Sequence, residues 1–120
     1  APKLLVTTPI NQHHELGALI AAVGAAMQSW NVTYLGPNLP AREIADAVKK
    51  SGAKAVALSI VFPRNDAEMA RDLALLGDLL PASISIMAGG RAASDYQPTL
   101  QAIRAKSFTN LDGFRQHLQS

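Results

Sequence analysis

Residues 3–30 read KLLVTTPINQHHELGALIAAVGAAMQSW. The opening apolar run, Lys3 to Thr7, is the continuous kind needed by a short strand covered on both faces in a parallel sheet. Pro9 breaks it. A polar loop with adjacent histidines, Asn11-Gln12-His13-His14-Glu15, comes next, and a helical pattern then runs from about Glu15 to Ser29. Its residues Leu16, Leu19, Ile20, Val23, Ala26, Met27 and Trp30 step by three and one, the spacing of a buried helical stripe. Trp30 closes that stripe as a core residue. Strand, loop and helix in this order begin an α/β chain.

The rest repeats the alternation. Val32 to Leu35 reads as a second strand, and Gly36-Pro37-Asn38 is turn chemistry. Pro40 opens a helix at a tolerated first-turn position, and Gly52 ends it as a C-terminal cap. Ala53 to Ile60 (AKAVALSI) is the third strand. The loop Phe62-Pro63-Arg64-Asn65-Asp66 supplies Asn65 or Asp66 as cap of a helix that runs to about Leu80, where Pro81 stops it. Ser83 to Met87 is the fourth strand, followed by Gly89-Gly90-Arg91. Ser94 to Arg104 reads as a helix with Pro98 near its start, Ala105 to Phe108 as a short fifth strand, and Leu111 to Gln119 as a last helix capped by Thr109 or Asn110. Five strands alternating with five helices predict a three-layer αβα sandwich. Its parallel sheet would be flavodoxin-like (Rossmann-like), in the order 2-1-3-4-5.

Composition agrees with a single domain spanning residues 1–120. Hydrophobic residues make up 48% and charged residues 17%, a globular balance. Eleven basic and nine acidic residues leave a formal net charge of +2. The sequence pI is about 9.2. Even so, no Lys/Arg cluster is dense enough to be a nucleic-acid footprint. Lys49-Lys50 falls at a helix C-terminus, where it suits the dipole. The absence of cysteine excludes a disulfide scaffold and thiolate metal sites and fits a reducing, cytoplasmic setting. Leu16 to Met27 is too short to span a bilayer and lacks the basic flank of a signal peptide.

In such a sheet, ligands bind at the C-terminal ends of the strands, at the switch point between strands one and three. The histidine loop follows strand one, Ser59 ends strand three, and Gly89-Gly90 ends strand four, so all three share one edge. Several familiar chemistries fail there. The loop Thr8-Pro9-Ile10-Asn11 has no glycine for a phosphate cradle. A phospho-acceptor site would need an aspartate where Ser59 stands. No Gly-x-Ser-x-Gly elbow surrounds Ser59. A protein-only zinc site needs more ligands than adjacent histidines provide, and His117 lies on the last helix. A single imidazole is, however, enough for a metal whose other positions a macrocycle fills.

Gln12-His13-His14-Glu15-Leu16-Gly17 resembles the Asp-x-His-x-x-Gly motif of cobalamin-binding domains. Ser59-Ile60-Val61 resembles their Ser-x-Leu motif, and Gly89-Gly90 their glycine pair; the order and spacing of all three match over nearly the whole chain. The resemblance implies adenosylcobalamin or methylcobalamin as cofactor, bound base-off/His-on. His14 would be the cobalt ligand, and Gly17 would keep the first helix clear of the corrin. Ser59 would hydrogen-bond the displaced base in a slot between strands one and three, and Gly89-Gly90 would let the nucleotide tail pass. His13 is off by one in its spacing to Gly17.

The chain departs from the pattern in two places. Gln12 replaces the acidic partner of the histidine, so Asn11 or Glu15 is a candidate substitute. Val61 replaces leucine as an apolar wall of the slot. His14-Glu15-Leu16-Gly17-Ala18-Leu19 and Tyr34-Leu35-Gly36-Pro37-Asn38-Leu39-Pro40 are most similar to the cobalamin domains of MerR-type regulators, including light-responsive repressors. That likeness implies a non-enzymatic sensory module and a fragment of a longer regulator. It would reach DNA only through a separate domain, with no membrane contact and with homo-oligomers forming in the longer protein. The alternative is a corrinoid carrier for a methyltransferase or mutase.

Overall fold

A computed structural model describes the chain apart from residues 1, 13–15, 62–65, 109 and 120, and apart from the side chains of residues 16, 18–20, 23, 27 and 111. The elements are β1 (Lys3–Thr7), α1 (Leu16–Met27), β2 (Asn31–Tyr34), α2 (Ala41–Ser51), β3 (Ala55–Ser59), α3 (Ala67–Leu79), β4 (Ser85–Gly89), a 3₁₀ turn (Ala93–Tyr96), α4 (Gln97–Ala102), β5 (Lys106–Phe108) and α5 (Leu111–Gln119). The strands form one sheet in the order β2-β1-β3-β4-β5, every pair parallel. This is the architecture expected from the alternation of strands and helices.

Strand alternation divides the core into two faces. Leu5, Val56, Leu58, Ile86 and Ala88 point to one side, where Ile44 of α2, Met69, Leu73 and Leu76 of α3, and Leu100 of α4 cover them. Leu4, Val6, Ala55, Ala57 and Met87 point to the other, against Ala25 of α1 and Phe114 and Leu118 of α5. Both faces are covered by helices, which is why the interiors of the central strands, Leu4 to Val6, Ala55 to Leu58 and Ile86 to Ala88, are apolar. Each fully buried leucine or isoleucine contributes roughly 1.5–3 kcal/mol of transfer free energy.

Several boundaries move by one to three residues; the third strand, expected over Ala53 to Ile60, covers Ala55–Ser59. The fourth strand starts at Ser85, not Ser83, because Pro81 to Ile84 closes a turn through Ile84 N–H to the Pro81 carbonyl at 3.0 Å. It therefore ends on Gly89 rather than before it. The helix expected from Ser94 starts at Gln97, after the 3₁₀ turn, with Pro98 in the first turn. There its missing N–H would have had no partner. The second strand sits one residue earlier, on Asn31–Tyr34.

The caps fall on predicted residues. Asp66 caps α3 by accepting the Glu68 N–H at 3.0 Å, and Gly52 ends α2 at φ 72°. Asn110, the candidate cap of α5, accepts the Gly113 N–H at 2.8 Å; the remaining candidates, Asn65 and Thr109, lie outside the described residues. Lys50 pairs with Asp46 at 2.9 Å on the surface of α2.

The stripe proposed for α1 is corrected in part. Ala25 is fully buried and Ala26 exposed, so the face laid on the sheet runs through Ala21, Gly24 and Ala25. The side chains of Leu16, Leu19, Ile20, Val23 and Met27 lie outside the described residues. Trp30, expected in the core, is half-buried at its edge; it packs on the α1/α5 cluster and its Nε1–H donates to the Leu118 carbonyl at 3.1 Å.

Candidate functional site

The register places Ser59 beside Gly89 and Gly89 beside Phe108, one row across the C-terminal edge of β3, β4 and β5. The row faces α1 and α5. Behind it, the residues on the same face are small: Ala57 on β3 and Ala21 on α1. The result is a cleft of about 380 Å³ whose lining includes Gly17, Ala57, Ser59, Gly89, Phe108 and Phe114. The walls are largely apolar, with Ser59, Arg91 and Asn110 contributing polar groups. Ser59 is 8% exposed, and its hydroxyl has no hydrogen-bond partner within the chain among the described residues.

Gly17 makes room for that hydroxyl. A Cβ there would stand 2.9 Å from Ser59 Oγ. The two glycines that end β4 have separate reasons. A Cβ on Gly89 would meet only the Phe108 carbonyl oxygen, at 3.6 Å, an ordinary contact on the cleft side. Gly90 has φ +108°, and a Cβ there would come 2.4 Å from the Ile60 carbonyl oxygen. Gly89 therefore leaves open space on the cleft side, whereas Gly90 meets a demand of the backbone.

Gln12 is fully buried. Its Oε1 accepts the Val61 N–H at 2.7 Å, and Thr8 Oγ donates to its carbonyl at 2.6 Å. The amide thus ties the loop after β1 to the loop after β3. Val61 is held by this bond and does not line the cleft. Asn11, at φ 65°, receives its own anchors. Its N–H donates to Asn38 Oδ1, and its Nδ2 donates to Asp66 Oδ2 and Glu68 Oε1, each at 2.8 Å.

That amide is the main reason the Asp66 carboxyl is held below its ordinary value of 3.8. Burial opposes it, while the Met69 and Glu68 N–H groups and the Arg71 charge help it. A depressed carboxyl stabilises the fold above its unfolded value, so this contribution fades as pH falls below about 3.8 and through the lower folded value.

His14, His13 and Glu15 lie outside the described residues, as does the side chain of Leu16. The structure brings Gly17, Ser59, Gly89 and Gly90 to one cleft, with Asn11 and Gln12 anchoring the loop that leads to it. His117 is on α5 with its ring 5.4 Å from that of Phe108. No group of three or more His, Cys, Asp or Glu side chains able to hold a metal exists among the described residues. Sequence reasoning missed Arg91, Phe108, Asn110 and Phe114. A signal for the space was present, because Ala55, Ala57 and Ser59 alternate along one face of a strand otherwise built of valine and leucine.

The B12 binding domain model matches residues 2–107. The chain belongs to the B12-binding domain family. Cobalamin is its cofactor, and the cleft fits: its walls are largely apolar, and the Ser59 hydroxyl stands on them beside a glycine whose Cβ would crowd it, an arrangement open to the polar edge of a flat ring system. This B12-binding domain is 30% identical over 107 residues to the HTH-type transcriptional repressor CarA of Myxococcus xanthus, covering 88% of the chain and 36% of the repressor. Among solved structures it is similar to a cobalamin-binding protein from Desulfitobacterium hafniense DCB-2 (TM-score 0.78, 23% identity, 98% of this chain and 58% of that one). It is also similar to the monomethylamine corrinoid protein of Methanosarcina barkeri (TM-score 0.75, 17% identity, 98% and 57%). The B12-binding domain therefore spans about a third of that repressor and somewhat over half of those structures. No helix among its described residues is long and apolar enough to cross a membrane.

The role of Gly17 is open to a direct measurement. In Gly17→Ala the Ser59 hydroxyl must swing away from the new methyl. Alanine is the better helix former by about 1 kcal/mol, so stability should change by no more than that. Cobalamin affinity should fall roughly tenfold, about 1.4 kcal/mol. Thermal unfolding and titration together check this; unaltered affinity would show that Gly17 does not guard the cleft.

Proposed function

We propose that this chain is the cobalamin-sensing module of a MerR-type transcription regulator, binding adenosylcobalamin or methylcobalamin base-off with His14 as the protein ligand to cobalt. The similarity to a transcriptional repressor over 88% of the chain carries this reading. Ser59 in the cleft holds the displaced base, Gly17 and Gly89 leave it room, and Asn11 and Gln12 fix the approach of the loop that bears His14. Bound cobalamin supplies a cobalt–carbon bond that light can break, the signal such a module would report. DNA contact and assembly into oligomers belong to other parts of a longer, cytoplasmic protein.

The competing role, a corrinoid carrier for a methyltransferase or mutase, places different demands on position 12. A carrier that cycles cobalt between oxidation states gains from a carboxylate there, which accepts the histidine N–H and takes up a proton. Gln12 can accept a hydrogen bond but cannot take up the proton, and its Oε1 already receives the Val61 N–H. This chemistry favours a sensor over a carrier.

Visible spectra of the chain with methylcobalamin test the ligation. A base-off/His-on spectrum that His14→Ala converts to a base-off form without imidazole supports the assignment. An identical spectrum in His14→Ala would remove it. On the full-length protein, gel filtration and DNA binding in dark and light separate a photosensor, whose state changes, from a carrier, whose state does not.

A further inference from the structure

The geometry points to Arg91 as the residue that recognises the phosphodiester of the cofactor's nucleotide tail and so distinguishes a complete cobalamin from a corrinoid without the tail. Arg91 is exposed and lines the cleft; of the residues that line it, this one carries a formal charge. Its backbone is pinned on both sides. The Ile60 N–H donates to the Gly89 carbonyl at 2.8 Å, the Ala92 N–H to the Ile60 carbonyl at 3.0 Å, and the Ala93 N–H to the Gly90 carbonyl at 3.1 Å. Gly90, wedged against Ile60, fixes the direction in which the chain leaves β4. The guanidinium is thus tethered to a rigid turn at the C-terminal edge of the sheet, while Ser59 sits deeper and is nearly closed to solvent.

The ligand's chemistry matches this arrangement. The tail of cobalamin carries a flat base at its end and a phosphodiester, with one negative charge, between base and corrin. A base seated at Ser59 brings that anion along walls that include Met87, Phe108 and Phe114. An anion stripped of water against such walls needs a cation or hydrogen-bond donors. A guanidinium supplies both in a planar fork suited to phosphate oxygens. This assignment rests on the tail occupying the cleft, as proposed above.

The test compares methylcobalamin with cobinamide, the corrinoid that lacks phosphate, ribose and base, on the wild-type chain and on Arg91→Ala, Arg91→Lys and Arg91→Glu. Arg91→Ala should weaken methylcobalamin about three- to tenfold, the range for a solvent-facing charged contact. Arg91→Glu should weaken it more and Arg91→Lys less. Cobinamide affinity should stay within about twofold of wild type, showing that each variant is folded. The penalty for methylcobalamin should shrink as salt is raised. Equal losses for both ligands, or no loss for methylcobalamin, would overturn the assignment. Ser59→Leu separates the two layers. If it abolishes methylcobalamin binding while Arg91→Ala leaves it unchanged, the tail is in the cleft and only Arg91 is wrong. If neither variant weakens binding, the tail lies elsewhere and both assignments fall.

Discussion

Gly90→Ala should cost roughly 3–5 kcal/mol of folding stability, lowering the unfolding midpoint of the cofactor-free chain by on the order of 10–20 °C. Strain and collision add at this position. The backbone sits at φ +108°, where an L side chain is unfavourable. The new methyl would stand 2.4 Å from the Ile60 carbonyl oxygen and 2.9 Å from the Ile60 nitrogen and carbonyl carbon. Those atoms cannot step aside. Ile60 is itself fully buried and exchanges hydrogen bonds with Gly89 and Ala92, so relief requires the β3–β4 pairing to open. Thermal unfolding followed by circular dichroism measures the loss; a change under about 1 kcal/mol would mean the turn has an easy alternative conformation. Gly89→Ala is the internal comparison, since its methyl meets only an ordinary contact at 3.6 Å.

The second large effect is on binding. Ser59→Leu should leave the fold intact and reduce cobalamin affinity by roughly 100-fold or more, about 2.7 kcal/mol. The side chain points into open volume rather than into packed core, so the added carbons have somewhere to go. What they occupy is the space proposed for the base, and the hydroxyl proposed to meet it is gone. Ser59→Ala removes only the hydrogen bond and should cost about 1 kcal/mol, a fivefold loss. Equilibrium titration of both variants gives the two numbers. An unchanged affinity in Ser59→Leu would place the nucleotide tail outside this cleft.

The sheet order is legible in the amino-acid sequence. It follows from the alternation of apolar runs with helical stripes, because only a parallel sheet covered on both faces accepts runs such as Ala55 to Leu58. The shared edge of Ser59, Gly89 and Gly90 follows from that order. Other features have no such signature. The bond from Gln12 to Val61 joins segments 49 residues apart, and the bonds from Asn11 to Asp66 and Glu68 span 55 and 57. No local pattern encodes such long-range pairs. The small face of α1 escapes a reading by periodicity, because spacing alone cannot tell which of two apolar sides of an all-apolar helix meets the sheet; the buried Ala25 and exposed Ala26 decide it. Gly89 and Gly90 look equivalent as letters, and only the backbone dihedral of the second separates a spatial need from a conformational one.

The largely apolar lining of the cleft has a calorimetric consequence. Ala57, Met87 and Phe114 are already nearly closed to solvent and Phe108 is half-buried, so a ring system that enters against these walls loses chiefly its own apolar hydration, together with that of Phe108. Association should then carry a negative heat-capacity change, so its enthalpy becomes more exothermic on warming. Titration calorimetry at several temperatures would register this slope for a ligand that reaches the interior, and a far shallower one for a ligand resting on the rim.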